Sequence, residues 1–196
     1  MKDFILDYLM KNISNYNTYS NSKLKEIKYG LETLYLTITK TIVIIILSII
    51  LNTYHNLFLL IIFYSLLRLF GSGLHATKSI YCWISSLLIF SLIPIIIDKI
   101  YISKKIMITI SSICTILILF YSPSDTIKRP MNNKKKRLID KIICTILSTI
   151  YTSYIIISNN YIYNNILLFS QIIETSLILP ISYKLFNLRY NNYKYN

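Results

Sequence analysis

Long apolar runs separated by short polar segments are the feature that most constrains how this chain folds. Isoleucine-rich runs favour strands in a soluble protein, but lone strands cannot satisfy their backbone hydrogen bonds in lipid, so helices are expected. A helical span needs about 20 apolar residues. The pattern predicts an all-α, polytopic transmembrane helical bundle with about six membrane-spanning helices. The predicted spans are Leu34–Leu51, Leu57–Phe70, Ile80–Ile97, Ile106–Tyr121, Leu138–Ile157 and Ile162–Leu185.

The composition agrees with this class, because 54% of the residues are hydrophobic and only 15% are charged. No water-soluble globular domain needs that much apolar surface. Before the first span, the apolar residues of the N-terminal region fall on one face of a predicted amphipathic helix: Phe4, Ile5, Tyr8, Leu9 and Ile13. Such a helix can lie at the membrane surface, with an ordinary cytosolic extension as the alternative. We expect residues 1–196 to form a single integral-membrane domain.

The distribution of basic residues predicts the orientation of the bundle. With the N-terminus inside, 18 of the 21 basic residues fall on the inner side and only Lys99, Lys104 and Lys105 on the outer side. The positive-inside rule therefore places both termini in the cytoplasm. It also places the polar segment after Arg68, and the start of the following span, on the cytoplasmic side.

A strongly basic segment separates the fourth and fifth spans. It is predicted as a loop from Ser122 to Lys141, and it contains the run Lys134, Lys135, Lys136 and Arg137. A topogenic signal with contact to anionic lipid is one sufficient reading, each charge contributing about 1 kcal/mol near the surface. A docking surface for an acidic peptide substrate is a second reading, compatible with the first. Nucleic-acid binding is not expected, since no soluble recognition module accompanies the charge.

The segment Arg68–His75 holds two of the three glycines and one of the two histidines, and Cys82 follows seven residues later. Ionisable groups at membrane depth are costly, so this cluster is a functional-site hypothesis. On one helix, His75 and Cys82 would be about 10 Å apart along the axis. Gly71 and Gly73 permit turns, so we expect a bend between Gly71 and about Thr77 that returns His75 towards Cys82 at the start of the next helix. A helix N-terminus favours a thiolate, and histidine can serve as its base.

Structural roles are the alternatives for both residues, since interfacial histidines are often hydrogen-bonded and cysteines beside aromatic residues are often packed. Glu32 and Asp125 lie on the predicted side of His75 and could orient it, and Arg68 could pair with one of them or hold a substrate carboxylate. Helix capping by Asp125 and an ion pair between Glu32 and Arg68 are the plainer readings. Glu174, inside the last apolar run, must face protein or water, but the sequence assigns it no role.

The remaining cysteines give no sign of a disulfide framework or a metal site. The three cysteines show no CxxC spacing. Cys114 and Cys144 lie within apolar runs, where cysteine usually behaves as a small inert hydrophobe. No metal and no organic cofactor is expected.

Four pieces of sequence, taken in order, resemble the accessory gene regulator protein B (AgrB) family of bacterial quorum sensing. They are Tyr29-Gly30-Leu31-Glu32, the stretch from Arg68 to Ala76, Cys82 at the family spacing, and Tyr121–Pro130 followed by the basic run. Together they cover about residues 29–141, and the rest of the chain matches only in general character. One His-x6-Cys pattern is weak, but four pieces in order are specific.

The resemblance implies a membrane-embedded cysteine endopeptidase of the bacterial cell membrane. Such an enzyme cleaves the C-terminal segment of a propeptide, AgrD, through an acyl-enzyme thioester and promotes closure of a thiolactone or lactone. Cys82 would be the nucleophile and His75 its base, while Glu32, Arg68 and Gly73 match other positions that the family needs. Ser72 departs from the family, whose members commonly have a second adjacent glycine there.

The resemblance also implies the partners. AgrD-like propeptides have an amphipathic N-terminal helix and an acidic C-terminal tail, which suits a chain of formal net charge +13. A homodimer is a reasonable further expectation from the family. Two other classes of function stay open: a non-catalytic multipass transporter that exports a peptide, and a membrane scaffold that gathers acidic partners through Lys134–Arg137. A transporter usually shows internal repeats or paired broken helices, whereas this chain has one broken segment and no clear repeat.

Overall fold

The computed structural model describes residues 2–16, 20–74, 79–126 and 131–194, and these residues form an all-helical chain. His75, Lys128 and Arg129 lie outside the described residues, as does the side chain of Cys82. The fold-class prediction is confirmed. The helices are α1 (Lys2–Tyr16), α2 (Asn21–Ile50), α3 (Tyr54–Gly71), α4 (Ser79–Lys99), α5 (Lys104–Tyr121), α6 (Lys134–Ile157), α7 (Tyr161–Ile178), α8 (Pro180–Leu185) and a 3-10 turn, Asn192–Lys194.

Six of these helices, α2 to α7, correspond to the six predicted spans. Among the described residues, four segments are long and apolar enough to cross a membrane: Gly30–Ile50, Tyr54–Gly71, Lys104–Tyr121 and Lys134–Ile157. Much of their apolar surface faces outward, as at Ile46 and Ile50 of α2, which are exposed. Such a surface suits lipid and would be unfavourable in water.

Helix α7 lies inside the bundle, which explains why it can carry so many polar residues. Asn165, Gln171 and Glu174 are all fully buried on it. Polar side chains at membrane depth face the protein interior for this reason. The apolar core surrounds α7 on two sides, with Leu67, Ile118 and Leu168 in one cluster and Leu60, Ile97 and Ile166 in another.

A buried hydrogen-bond network joins α5, α6 and α7 near the middle of the bundle. The Gln171 side-chain amide donates to the Ser148 hydroxyl at 2.8 Å and accepts from Ser111 at 2.6 Å. Thr152 completes the network through Ser111 at 2.7 Å and Thr115 at 2.9 Å. Because each side chain finds partners, the polar layer fixes the relative register of three helices without leaving an unsatisfied donor on Gln171.

The last predicted span is shorter than expected. Helix α7 ends at Ile178, and Leu179 is extended (φ −67°, ψ 139°) before Pro180 begins the short helix α8. A residue preceding proline is disfavoured in the helical region, so the apolar run is divided into two helices. The predicted span Ile162–Leu185 was therefore wrong at its C-terminal end.

The basic run was also predicted in the wrong element, because Lys134–Arg137 form the first turn of α6 and not part of a loop. Asn133 caps this helix, its side-chain oxygen accepting a 3.2 Å hydrogen bond from the amide of Lys136. Positive charge at a helix N-terminus opposes the helix dipole. The helix nevertheless begins at Lys134, where the Asn133 cap supports it.

Helix α1 confirms the prediction of an N-terminal helix and packs on α2. Leu6 is buried, whereas Tyr8 and Leu9 are exposed and share the outer side. An interfacial position for this outer side stays a prediction.

Candidate functional site

The site is built around residues 71–74, which are the last residue of α3 and the three residues after it. Ser72 and Gly73 both have positive φ, at 57° and 102°, so the chain turns sharply as the helix ends. The Ser72 amide still donates to the carbonyl oxygen of Arg68 at 3.1 Å. The chain therefore turns within the predicted bend, at Ser72 and Gly73, while the expected return of His75 towards Cys82 lies outside the described residues.

Two other parts of the chain hold the 71–74 segment in place. The Gly73 amide donates to Ser124 O at 2.8 Å, and the Ser124 amide donates to Gly71 O at 3.1 Å, forming an isolated parallel bridge. The Leu74 amide donates to Leu177 O, near the end of α7, at 2.9 Å. Residues 71–74 therefore have their conformation fixed by backbone contacts from both sides.

The guanidinium of Arg68 caps the same turn from within α3. It donates to the carbonyl oxygen of Ser72, to that of Gly73 at 3.4 Å and to that of Leu74 at 2.7 Å. A guanidinium presents several donors in one rigid plane, so it can hold successive carbonyl groups in a defined arrangement. Arg68 is in this way part of the turn as well as a charge near it.

The charge partner of Arg68 is Glu174 of α7, at 3.7 Å between Nη1 and Oε2. The sequence suggested Glu32 or Asp125 as the charge partner of Arg68 and assigned no role to Glu174. The Glu174 side chain is 0% exposed, while that of Arg68 is 17% exposed. The signal that could have found the pair was a lone carboxyl group inside an apolar run, since burying its charge is costly unless a cation packs nearby.

Both glycines of the segment sit where a side chain cannot fit. A Cβ atom on Gly73 would lie 2.6 Å from Arg68 Nη1 and 2.8 Å from Leu177 O. A Cβ atom on Gly71 would overlap Glu174 Oε1 and lie 3.3 Å from Cys144 Sγ. The glycines are thus required by space, and at Gly73 by backbone conformation as well.

A cleft of about 760 Å³ opens beside this segment. It brings together three residues singled out by the sequence, Arg68, Gly73 and Asp125, with Lys136 from the basic run. Ser72, Ser124, Met131 and Asp140 complete much of its polar and apolar lining. A cleft of this size with few convergent polar groups is typical of a ligand-binding site.

Asp125 is buried in the wall of the cleft and ties down the C-terminal segment. Its carboxylate accepts hydrogen bonds from the amides of Tyr193 at 2.7 Å, Asn192 at 2.9 Å and Met131 at 3.4 Å. Arg137 lies 4.0 Å from the same carboxylate and stacks 3.5 Å from the centre of the Tyr193 ring. Asp125 therefore has a structural role, similar to the helix capping that the sequence analysis gave as an alternative.

Two tyrosines near the C-terminus pack against each other. The rings of Tyr183 and Tyr190 meet edge to face at 5.1 Å between centroids. Burial raises the pKa of Tyr190, partly offset by a hydrogen bond with Ser124 and the charge of Arg137. The phenol is therefore neutral at physiological pH.

The four members of the basic run divide into different environments. Arg137 is half-buried and paired, whereas Lys134, Lys135 and Lys136 are exposed to solvent. Of these three lysines, Lys136 also lines the cleft. Lys136 is therefore the member of this run that could meet a ligand inside the cleft.

The predicted nucleophile lies on a helix that starts at the same end of the bundle. Only seven residues separate the end of α3 from Ser79, where α4 begins, so Cys82 falls in the first turn of α4. Helix α2 packs against α4 through Lys40, whose Nζ donates to Ser86 Oγ at 3.1 Å. Glu32 is half-buried on α2, about 12 Å before Lys40 along the helix axis, and is not part of the cleft lining that the structure describes.

Cys114, Cys144 and His55 do not belong to the described lining of the cleft. Cys114 and Cys144 are buried free thiols. His55 is exposed near the start of α3, at the opposite end from Gly71. Among the described residues, no group of three or more histidines, cysteines and carboxylates could hold a metal ion.

Comparisons of the sequence with a family model and with known proteins agree on one family. The model of the family "Accessory gene regulator B" matches residues 3–178. Accessory gene regulator protein B of Staphylococcus epidermidis is 27% identical over 185 residues, covering 90% of this chain and 92% of that protein. The protein of the same name from Staphylococcus aureus (strain MRSA252) is 28% identical, with 92% and 94% covered. A putative AgrB-like protein of Clostridium acetobutylicum is 28% identical, with 87% and 82% covered. No solved structure matches the chain.

Proposed function

The chain belongs to the accessory gene regulator B family of membrane proteins, and on that premise we propose that it is a cysteine endopeptidase acting on a quorum-sensing propeptide. The substrate is an AgrD-like propeptide, from which the enzyme removes the C-terminal segment. Cys82 is the nucleophile, and His75 is its base. The product is a thiolactone or lactone peptide.

One observation carries the proposal: Arg68, Gly73 and Asp125 converge on a single cleft at the end of α3. Arg68 and Gly73 lie together at the end of α3 and match positions that the family resemblance singled out, whereas Asp125 comes from the segment after α5, far along the sequence. His75 follows the fixed 71–74 segment directly in the sequence, and Cys82 lies in the first turn of the next helix. A catalytic pair at this place would adjoin a cleft large enough for several peptide residues.

The first chemical step is acylation of the enzyme. The thiolate of Cys82 attacks the carbonyl carbon of the scissile peptide bond, and the carbon–nitrogen bond breaks. His75 takes the thiol proton and gives it to the departing amine, so the C-terminal segment leaves as a neutral amine. The remaining peptide is held as a thioester on Cys82.

The second step releases the peptide as a ring. An internal cysteine or serine of the propeptide attacks the thioester carbonyl, transfers its proton to the base and restores the Cys82 thiol. Attack by cysteine gives a thiolactone and attack by serine gives a lactone. Transfer from thioester to thioester keeps the acyl group activated, and exclusion of water from an interfacial cleft limits hydrolysis.

The charge of the site suits an acidic peptide tail. Lys136 lines the cleft, and Lys134 and Lys135 lie exposed beside it at the start of α6. Positive potential of this kind raises the local concentration of an anionic ligand. We place this end of the bundle at the cytoplasmic face, where the positive-inside rule puts the basic residues.

The test is processing of the propeptide encoded beside this gene, in membranes containing wild type, Cys82→Ala, His75→Ala or Cys114→Ala. The expected result is loss of cleavage for the first two variants and retention for Cys114→Ala, whose thiol is buried away from the cleft. Cleavage by Cys82→Ala at the wild-type rate would exclude the peptidase mechanism and leave transport or scaffolding.

A further inference from the structure

We infer that Glu174 is a positioning residue of the site: its buried carboxylate holds Arg68 on the 71–74 segment and thereby sets the point from which the chain continues to His75. The inference rests on the proposed peptidase function. Nothing in the family resemblance assigns a role to Glu174.

Glu174 acts through another residue because it cannot touch a substrate. Its side chain is fully buried, while the side chain of Arg68 is 17% exposed and lines the cleft. Among the described residues, neither carboxylate oxygen of Glu174 has a hydrogen-bond partner. Arg68, at 3.7 Å, is therefore the interaction that the structure gives this charge.

The guanidinium of Arg68 in turn depends on the Glu174 carboxylate to balance its charge. Three backbone carbonyl groups accept from its guanidinium, at Ser72, Gly73 and Leu74. Carbonyl dipoles orient a cation but do not neutralise it, and arginine stays protonated in proteins. Without Glu174, the guanidinium loses its counter-charge and holds the carbonyl groups of the turn less firmly.

Gly71 makes room for this arrangement. A Cβ atom there would overlap Glu174 Oε1, so the carboxylate rests directly against the backbone at the end of α3. The close approach explains why glycine is required at a helical position, where its own conformation is ordinary. A methyl group at Gly71 should displace the carboxylate from Arg68 and reproduce the effect of losing it.

The experiment measures single-turnover acylation of the full-length protein in lipid vesicles, with the propeptide at saturating and at limiting concentrations. The variants are Glu174→Gln, Glu174→Asp and Gly71→Ala. The control is Ser170→Ala, which removes a buried polar group one turn earlier on α7, where Ser170 Oγ bonds to Ile166 O at 2.8 Å. Rates are normalised to the folded, monodisperse fraction.

We expect Glu174→Gln and Gly71→Ala to lower the saturated acylation rate by about 100-fold, the effect of a misplacement near 1 Å at a catalytic centre. The propeptide concentration giving half the maximal rate should change little. Glu174→Asp, which keeps the charge, should recover part of the rate, and Ser170→Ala should match wild type. A merely structural glutamate would lower the folded fraction and leave the rate per folded molecule unchanged.

Wild-type acylation rates in both Glu174→Gln and Gly71→Ala would overturn this inference and leave the proposed function standing. If one of the two does not fold, the other decides the question. Absence of any acyl adduct on wild type would overturn the proposed function, and the inference with it.

Discussion

The amide of Gly73 donates a 2.8 Å hydrogen bond to the carbonyl oxygen of Ser124, and this bond joins the two non-helical segments that border the cleft. One segment follows α3 and the other follows α5, so helices from distant parts of the sequence position a common wall. The Ser124 hydroxyl continues the connection to Ile178 O, at the end of α7, at 2.8 Å. The site is therefore fixed by the packing of three helix ends.

Replacing Gly73 with alanine should disrupt this wall. The residue has φ 102°, and a side chain would press on Arg68 and on the Leu177 carbonyl. We expect a backbone cost of about 1–3 kcal/mol and loss of propeptide cleavage, measured by thermal unfolding in detergent and by processing in membranes.

The matched control is Gly30→Ala on α2, where an added Cβ meets nothing within 4 Å. Alanine in a helix interior should stabilise the protein by about 1 kcal/mol relative to glycine. Equal effects of the two substitutions on the unfolding midpoint would contradict the account of Gly73.

Replacing Ser72 with glycine should raise the stability of the protein. Ser72 has φ 57° and ψ −125°, a conformation that suits glycine. We expect a gain of about 1 kcal/mol in the free energy of unfolding with cleavage retained. Ser72→Val should have the opposite effect, and a midpoint unchanged by both would refute the strain at this residue.

Replacing Asp125 with asparagine should release the C-terminal segment. The substitution removes the charge facing Arg137 and replaces one acceptor oxygen beside the amides of Asn192 and Tyr193. Hydrogen bonds to charged groups contribute about 1.5–3 kcal/mol each, so amide hydrogen exchange in residues 186–194 should increase. Asp98→Asn, which alters a carboxylate bonded to Asn56 at the opposite end, is the control. Unchanged exchange in residues 186–194 of Asp125→Asn would show that other contacts hold the segment.

Neutralising Lys136 should weaken binding of an acidic propeptide without changing the chemical step. Lys136 lines the cleft, whereas Lys184 carries the same charge at the same end of the bundle and is exposed outside it. We expect Lys136→Gln to raise KM several-fold at low salt, with the difference shrinking as ionic strength rises. An equal change in Lys184→Gln would mean that overall charge, and not the cleft, attracts the peptide.

Much of the fold could be predicted because the membrane restricts the choice of backbone structure. Apolar runs separated by polar segments allow few solutions other than helices. The glycines also predicted a turn after α3, which the structure has at Ser72 and Gly73. The break at Pro180 and the helical start at Lys134 were missed, because each depends on a local signal that competes with a longer pattern. The break at Pro180 lies inside an apolar run that is typical of one continuous span. The helical start at Lys134 lies inside a basic segment that was expected to be a loop.

The candidate site could be predicted less completely, since its contacts join residues far apart in sequence. Arg68, Gly73 and Asp125 were identified, but the pairing of Arg68 with Glu174 depends on how α3 packs against α7. No spacing rule relates two residues separated by such a distance along the chain. Asp125 lies in the described cleft, yet its partners at Asn192 and Tyr193 come from the C-terminal segment, which carried no motif.

The most direct test of the central claim is the mass of the covalent intermediate. Wild-type protein in vesicles is mixed with the propeptide, quenched in acid within one turnover and digested for mass spectrometry, beside Cys82→Ala and Cys114→Ala. The account predicts an acyl group equal in mass to the propeptide minus its C-terminal segment, attached to Cys82 in wild type and in Cys114→Ala. An adduct on another residue, or released C-terminal segment from Cys82→Ala, would contradict it.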